Sequence, residues 1–383
     1  MHNVFVVGQN AITSLGFTLA EHIDKIKNNI SGVKRIDDKV LFPESFYASL
    51  IDNVLLHQHF ASIGNPDSYT KFEQLLILSA HLALKDSTVN AASHKTIFII
   101  STTKGNINLL DTRQSNSFSA DRVYLWKAAQ QIARFFGNNN TPIVISNACI
   151  SGVVAINFAN DLLNSGAYDN AVVIGGDIAT EFVVSGFQSF KSMSFGICKP
   201  FDAHRDGLNL GEGAGTILLS TQAADCDAKQ SIKVLGGASS NDANHISGPS
   251  RTGDGLYFAV TKAMKQASIT AQDVDFISAH GTATPFNDDM EAKAFHRAGL
   301  CDVPINSLKG YFGHTLGGAG IIESVISIQG MKENLLFNTM GYEEFGVEEP
   351  VTIVDHLTEK EQNYILKTAS GFGGCNAAVI FAK

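Results

Sequence analysis

Hydrophobic positions along this chain gather in short runs that end in glycine or small polar residues: VFVVG from position 4, TIFIIST from 96, PIVISNAC from 142, AVVIGG from 171 and GTILLS from 215. Each run is short for a helix and continuous enough for a strand buried on both faces. Between them, residues 69–86, 124–136 and 152–163 carry apolar positions at helical spacing. That alternation predicts an α/β fold, a mostly parallel sheet with helices on its faces. The order then recurs, with SIKVLGGASS from 231, VDFISAHGT from 274, PINSLKGYFGH from 304 and CNAAVIFAK from 375. An echo links Gly211-Glu-Gly-Ala-Gly215 before ILLS to Gly371-Phe-Gly-Gly-Cys-Asn376 before AVIFA. Gly-rich turns before strands are common, so pattern alone leaves a duplicated fold open.

Composition narrows the function classes. The 383 residues are 44% hydrophobic and 17% charged, against about 25% charged in an ordinary soluble chain. A surface so poor in charge predicts a subunit interface, hence an oligomer. The net charge of −9 argues against nucleic-acid binding, which rests on clustered Lys and Arg. No apolar run approaches the ~18 residues of a membrane span, and the N-terminus lacks the signal-peptide order, so a cytoplasmic, non-membrane protein is expected. Cysteines at 149, 198, 226, 301 and 375 form no CxxC pair and no even framework, which argues against disulfides and structural zinc and leaves thiols free for chemistry.

Three segments could carry that chemistry. In Ile145-Ser-Asn-Ala-Cys149-Ile-Ser-Gly152 a strand turns a small-residue corner into an apolar helix. A helix N-terminus favours thiolate over thiol, and the corner is like the elbow that exposes a nucleophile; the competing reading is a small buried cysteine. In Ser278-Ala-His280-Gly-Thr-Ala-Thr-Pro285, His280 follows a strand where parallel sheets place ligands, although a lone His there is more often structural. The third, residues 306–323, brings Lys309, His314 and Glu323 around a Gly-rich corner; a Lys309–Glu323 ion pair would orient His314, or serve structure alone.

In this order and with these flanks the blocks resemble the elongating β-ketoacyl-[acyl carrier protein] synthases of the thiolase superfamily. The blocks are the NAC-x-SG elbow at Cys149, Lys199-Pro-Phe-Asp-Ala-His-Arg-Asp-Gly207 with Gly211-Glu-Gly-Ala-Gly215, AHGTATP at His280, the Lys309 to His314 block, and Gly371-Phe-Gly-Gly374 with Asn376. The resemblance implies a thiolase-like five-layer αβαβα fold with duplicated halves: 1–230 carrying the nucleophile and 231–383 the two histidines. It also implies a homodimer paired through a sheet edge, a heterodimer being the other arrangement. By the same resemblance Cys149 takes an acyl chain from acyl carrier protein, and malonyl thioester loses carbon dioxide to supply the attacking carbanion. His280 and His314 hold the enolate, and the Cys149 and Phe372 N–H groups form the oxyanion hole. Lys309 with Glu323 gives support, and Phe372, Gly371, Gly373, Thr282 and Thr284 contact substrate, with Phe372 as a gate. No cofactor or metal is implied.

Some positions depart from the family. Cys375 stands where Thr or another polar residue is common, and residues 104–137 and 187–198 are short beside the housekeeping fatty-acid enzymes. Chain-length preference therefore does not carry over, and the pathway is left between fatty acid and specialised polyketide, polyene or pigment-lipid synthesis. Alternative readings are a non-catalytic chain-length-determining partner subunit, a degradative thiolase or acyl-CoA-initiated synthase, and a cysteine hydrolase.

Overall fold

The computed structural model describes residues 3–113, 117–223, 231–244 and 248–383; Cys226 and the junction expected at 230 fall in or beside a segment outside them. Ten strands form the frame: β1 (Phe5–Ile12), β2 (Thr96–Ser101), β3 (Ile143–Ile145), β4 (Asn170–Asp177), β5 (Gly213–Ser220), β6 (Ile232–Asn241), β7 (Phe276–Ser278), β8 (Pro304–Asn306), β9 (Tyr364–Gly371) and β10 (Cys375–Ala382). The first five stand in spatial order β3-β2-β4-β5-β1 and the second five in order β8-β7-β9-β10-β6. Each set has two parallel pairings followed by two antiparallel ones, in the same positions. The duplication suggested by the glycine echo is thus a repeat of strand order and direction.

The two sets meet where β1 pairs antiparallel with β6, Phe5 opposite Lys233 and Val6 opposite Ile232. With Thr352–Ile353 added beside β8, they form one 11-stranded sheet. The expected mostly parallel sheet is corrected here, because half the pairings within each set are antiparallel. At β9–β10 the reason is local: Gly371 faces Cys375 across a turn too short for a crossover connection.

Alternation along the strands sorts side chains into layers. Ile97 and Ile99 of β2 face one cluster, and Phe98 and Ile100 the other. Helices α1 (Lys71–Leu84) and α2 (Leu125–Phe135) cover the outer face of the first set. Helices α3 (Ser151–Asn164) and α6 (Ala319–Glu333) fill the middle, packed between both sets. Helices α4 (Asp254–Ala267) and α5 (Pro285–Arg297) cover the far face. This is the five-layer αβαβα architecture. The middle helices touch near their N-termini, where a Cβ on Gly152 would lie 2.8 Å from the Ile321 nitrogen and one on Gly320 2.6 Å from the Val153 nitrogen. Only glycine permits that approach, which brings both helix starts to one point.

Candidate active site

Cys149 sits between β3 and α3. Ala148 adopts the left-handed conformation with φ 45°, an uncommon setting for a residue with a side chain and one that must be held from outside. Ser151 supplies the hold: its hydroxyl donates to the Ala148 carbonyl at 2.6 Å and accepts from the Asn147 N–H at 2.8 Å. The sulfur is turned out of the strand just before the helix cap, Ile150. Gly371 lies against the corner, where a Cβ would come within 3.0 Å of the Cys149 nitrogen.

The loop after β7 carries His280, and two buried carboxylates of α5 pin it. Glu291 accepts the His280 and Gly281 N–H groups at 2.8 and 2.6 Å, and Asp288 accepts those of Thr282 and Ala283 at 3.0 and 3.2 Å. The longer loop after β8 carries His314, whose N–H donates to the Asn209 carbonyl at 2.7 Å while its carbonyl accepts from Gly211 at 3.0 Å. Gly211 has no room for a side chain, since a Cβ there would meet the Phe312 carbonyl at 2.1 Å.

These loops converge. One ligand-type atom from each of Cys149, His280 and His314 lies within 4.8 Å of the others. The imidazole centroids are 5.0 Å apart with the rings at 82°, and the three residues are 7%, 2% and 1% exposed.

Lys309 does pair with Glu323, at 2.7 Å, but the pair does not orient His314, which corrects that expectation. Lys309 Nζ instead lies 3.3 Å from His280 Nδ1 and donates to the His280 carbonyl. An ammonium only donates, so Nδ1 presents its lone pair there and the ring proton resides on Nε2, the nitrogen free to serve the cavity. His314 has no partner on either nitrogen among the described residues. Buried imidazole nitrogens normally find partners, so this ring is left with capacity for a ligand. Glu323 also binds Lys367 at 2.5 Å, which makes a buried cluster of two lysines on one carboxylate.

Electrostatics follow from burial. Desolvation first, then Lys309, holds both imidazoles well below the ordinary histidine range, so they are neutral at pH 7. Desolvation first, then the neighbouring Cys375, pushes the Cys149 thiol up to about 12, against lowering by Lys309 and a Phe372 backbone hydrogen bond. Burial thus works against the thiolate that the helix start favours, and the balance of these influences holds the resting group as a thiol.

Two cavities meet at Cys149. One, of about 80 Å³, is lined by Cys149, His280, His314, Thr282 and Thr284 among others. The other, of about 700 Å³, is lined by Cys149, Phe182, Phe187, Phe190 and Leu316 among others. Phe372 lines both, stacks on Phe187 with centroids 5.5 Å apart and meets Phe190 at a tilt of 60° with centroids 5.2 Å apart. Gly371 joins the smaller wall, and the hydroxyls of Thr282 and Thr284 lie 2.8 Å apart. Gly373 lines neither cavity; Gly374 does. The Cys375 thiol packs against the Phe372 carbonyl at 3.3 Å.

Several residues of the site had no sequence signal read from them. Asp177, at the end of β4, accepts from the Thr102 and Thr103 hydroxyls and the Gly317 N–H, at 2.7, 2.9 and 2.8 Å, tying the first half to the turn before α6. Lys367 is the one charged residue of β9, and that lone charge was the available clue. Asp288 and Glu291 fall three and six residues after the Pro that opens the helix, spacing that faces them back to the loop. As a metal centre, Cys149, His280 and His314 have a zinc-like donor set. Two lysines against one carboxylate leave positive charge beside it, which opposes a dication.

The chain matches the family description "Beta-ketoacyl synthase, N-terminal domain" over residues 1–224 and "Beta-ketoacyl synthase, C-terminal domain" over 232–343, and it belongs to the β-ketoacyl synthase family. It is 28% identical over 410 residues to 3-oxoacyl-[acyl-carrier-protein] synthase 2 of Vibrio cholerae, covering 99% of each chain. It is 30% identical over 349 residues to the tetracenomycin polyketide synthase ketoacyl synthase alpha subunit of Streptomyces glaucescens, covering 82% of each. In fold it matches the ishigamide ketosynthase/chain length factor structure with TM-score 0.88 at 23% identity, over 100% of this chain and 99% of that one. It is an acyl-transferring condensing enzyme by class. No helix among the described residues is long and apolar enough to cross a membrane.

Proposed function

We propose that the chain catalyses decarboxylative condensation of an acyl group on Cys149 with malonyl-[acyl carrier protein], with residues 1–230 supplying the nucleophile and 231–383 the histidines. The observation that carries the reading is a thiol between two cavities with two buried, neutral imidazoles within 4.8 Å of it, one of them with both nitrogens unpartnered.

In the first step the Cys149 sulfur attacks the incoming acyl thioester, and the pantetheine sulfur leaves with the proton that Cys149 gives up. Because the thiol sits at about 12, that proton moves as the bond forms, through a neutral imidazole lone pair. The Cys149 and Phe372 N–H groups stabilise the tetrahedral oxyanion. In the second step the malonyl C–C bond breaks, carbon dioxide leaves, and the electron pair passes to the thioester oxygen. His280 Nε2–H and the N–H of His314 hold that enolate. Its carbon attacks the acyl-Cys149 carbonyl, and the Cys149 sulfur departs as thiolate and takes one proton from solvent to restore the thiol. The 3-oxoacyl thioester is the product.

Lys309 acts as a positioning residue that fixes the His280 tautomer, with Glu323 as its counterion. The acyl chain occupies the larger, aromatic-lined cavity, and the malonyl group the smaller one beside Thr282 and Thr284. Phe372 divides them, and Gly371 and Gly373 flank it in the same turn. Acyl carrier protein is the partner that delivers both thioesters. The half-buried edge strand β3 pairs a second copy, and the enzyme is cytoplasmic. Intact-mass measurement after incubation with acyl-[acyl carrier protein] tests the first step, and carbon dioxide release from malonyl-[acyl carrier protein] the second. An acyl adduct that persists in Cys149→Ala would defeat the assignment, and a wild-type protein without an adduct would favour a non-catalytic partner subunit.

A further inference from the structure

The larger cavity is lined mainly by apolar and aromatic side chains, as an acyl site requires. Two ionisable groups interrupt its wall, Lys104 and Glu181. Glu181 has a cationic partner, because Arg113 Nη2 lies 2.5 Å from its carboxylate, although Arg113 is shared with Asp111 at 2.8 Å. Lys104 has no such counterion: among the described residues no carboxylate lies within ion-pair distance of its ammonium, which stands 5.8 Å from the Phe182 ring centroid. Its backbone is anchored, since the Lys104 N–H donates to buried Asp177 at 3.2 Å. The same Asp177 accepts from Gly317 beside the middle helix, so the root of Lys104 is fixed relative to the site while its exposed side chain lines the cavity.

We propose that Lys104 makes this cavity selective for acyl chains that carry an acceptor oxygen beyond the thioester, a ketone or a terminal carboxylate, over fully reduced chains of the same length. The inference rests on the reading of this cavity as the acyl site. A saturated chain laid along the wall offers an ammonium no acceptor and removes water from it, or drives it out to the mouth; either outcome costs binding. An oxygen on the chain replaces the lost water with a charge-assisted hydrogen bond. The Phe182 ring supports the cation from one face and leaves its N–H donors available.

The test compares four phosphopantetheine thioesters, acetyl, hexanoyl, 5-oxohexanoyl and 5-carboxypentanoyl, by the rate at which each adds its mass to Cys149. The oxo and carboxy chains are expected to acylate about tenfold faster than hexanoyl. Lys104→Met is expected to bring the three longer chains to within about twofold of one another, with acetyl unchanged, and Lys104→Arg to keep the preference. A larger effect on the carboxylate than on the ketone identifies charge as the source, and equal effects identify hydrogen bonding; either supports the proposal. Equal rates for hexanoyl and the oxygenated chains in the wild-type protein would overturn it, as would a preference that survives Lys104→Met. If acetyl fails to add mass to Cys149 as well, it is the acyl-site reading that falls, so the two failures are distinguishable.

Discussion

The two halves are built on one strand order yet assign their loops opposite lengths. In the first half the connection after β2 is long, running from 102 to 124, and the one after β3 is short, from 146 to 150. In the second half the connection after β7 is short, from 279 to 284, and the one after β8 is long, from 307 to 318. The short first-half turn delivers Cys149 as a strained elbow. The long second-half turn delivers Lys309 and His314, and the short one His280. Duplication supplies a frame in which both middle helices start at one point. In the proposed reaction, loop length then decides which half offers a nucleophile and which handles charge, in keeping with function residing in sites grafted on a fold.

The strongest way to separate the halves is to remove the nucleophile. Cys149→Ala is expected to abolish mass gain from acyl-[acyl carrier protein] completely, with the thermal transition unchanged within a few degrees, because the residue contributes little volume. Next in size is the charge cluster on the other side. Glu323→Gln leaves Lys309 and Lys367 buried without a counterion, a loss of about 3–5 kcal/mol. Urea unfolding is the measurement, and a midpoint equal to wild type would show that the cluster is not held as ions.

The histidines come third. His280→Ala or His314→Ala is expected to slow carbon dioxide release from malonyl thioester by ~10²-fold each, while the other half still acylates Cys149 at a measurable rate. Wild-type carbon dioxide release in either variant would remove that residue from the enolate site. A smaller effect belongs to the contact that joins the halves: Gly320→Ala drives a Cβ to 2.6 Å from the Val153 nitrogen and is expected to cost about 1–3 kcal/mol. An unchanged melting temperature would mean that α3 and α6 shift apart freely.

How much of this was legible in the sequence differs between frame and site. Nine of the ten strands lie on runs read from hydrophobic pattern, because strands buried on both faces are continuous in apolar residues; β9, with Lys, Thr and Ser from its middle onward, is not among them. Directions were not readable: antiparallel pairing of β5 and β10 depends on their being inserted between neighbours from elsewhere in the chain, which local pattern does not encode. In the site, Cys149, His280, Lys309 and His314 stood in motifs with a chemical rationale. Of the residues that hold them, Asp177 and Lys367 act across long separations in sequence, and Asp288 and Glu291 reach back from the next helix to the loop before it. The Lys309 contact was misread for the same reason: proximity in sequence suggested His314, whereas the fold brings the ammonium to His280 on another loop.

The finest discrimination between the halves is their opposite response to pH. On the nucleophile side, a thiol pushed up to about 12 has a thiolate fraction that grows tenfold per pH unit throughout the working range. Iodoacetamide alkylation of Cys149 is therefore expected to rise tenfold per unit from pH 7 to 10 without levelling. A plateau near pH 8 would instead restore the helix start as the dominant influence. On the histidine side the shift runs downward. An ordinary imidazole would gain a proton as pH falls through 6.5, but desolvation and Lys309 keep both rings neutral well below that value. Carbon dioxide release at saturating malonyl thioester should then show no inflection near 6.5. The linkage has the matching sign: below 6.5 the unfolded chain binds protons at these positions and the folded one does not, so stability falls as pH drops through that range. Asn at either position removes the titrating group and should flatten the acid limb of the stability curve by on the order of 1 kcal/mol per pH unit. A limb unchanged in both variants would mean that these imidazoles are already charged in the fold.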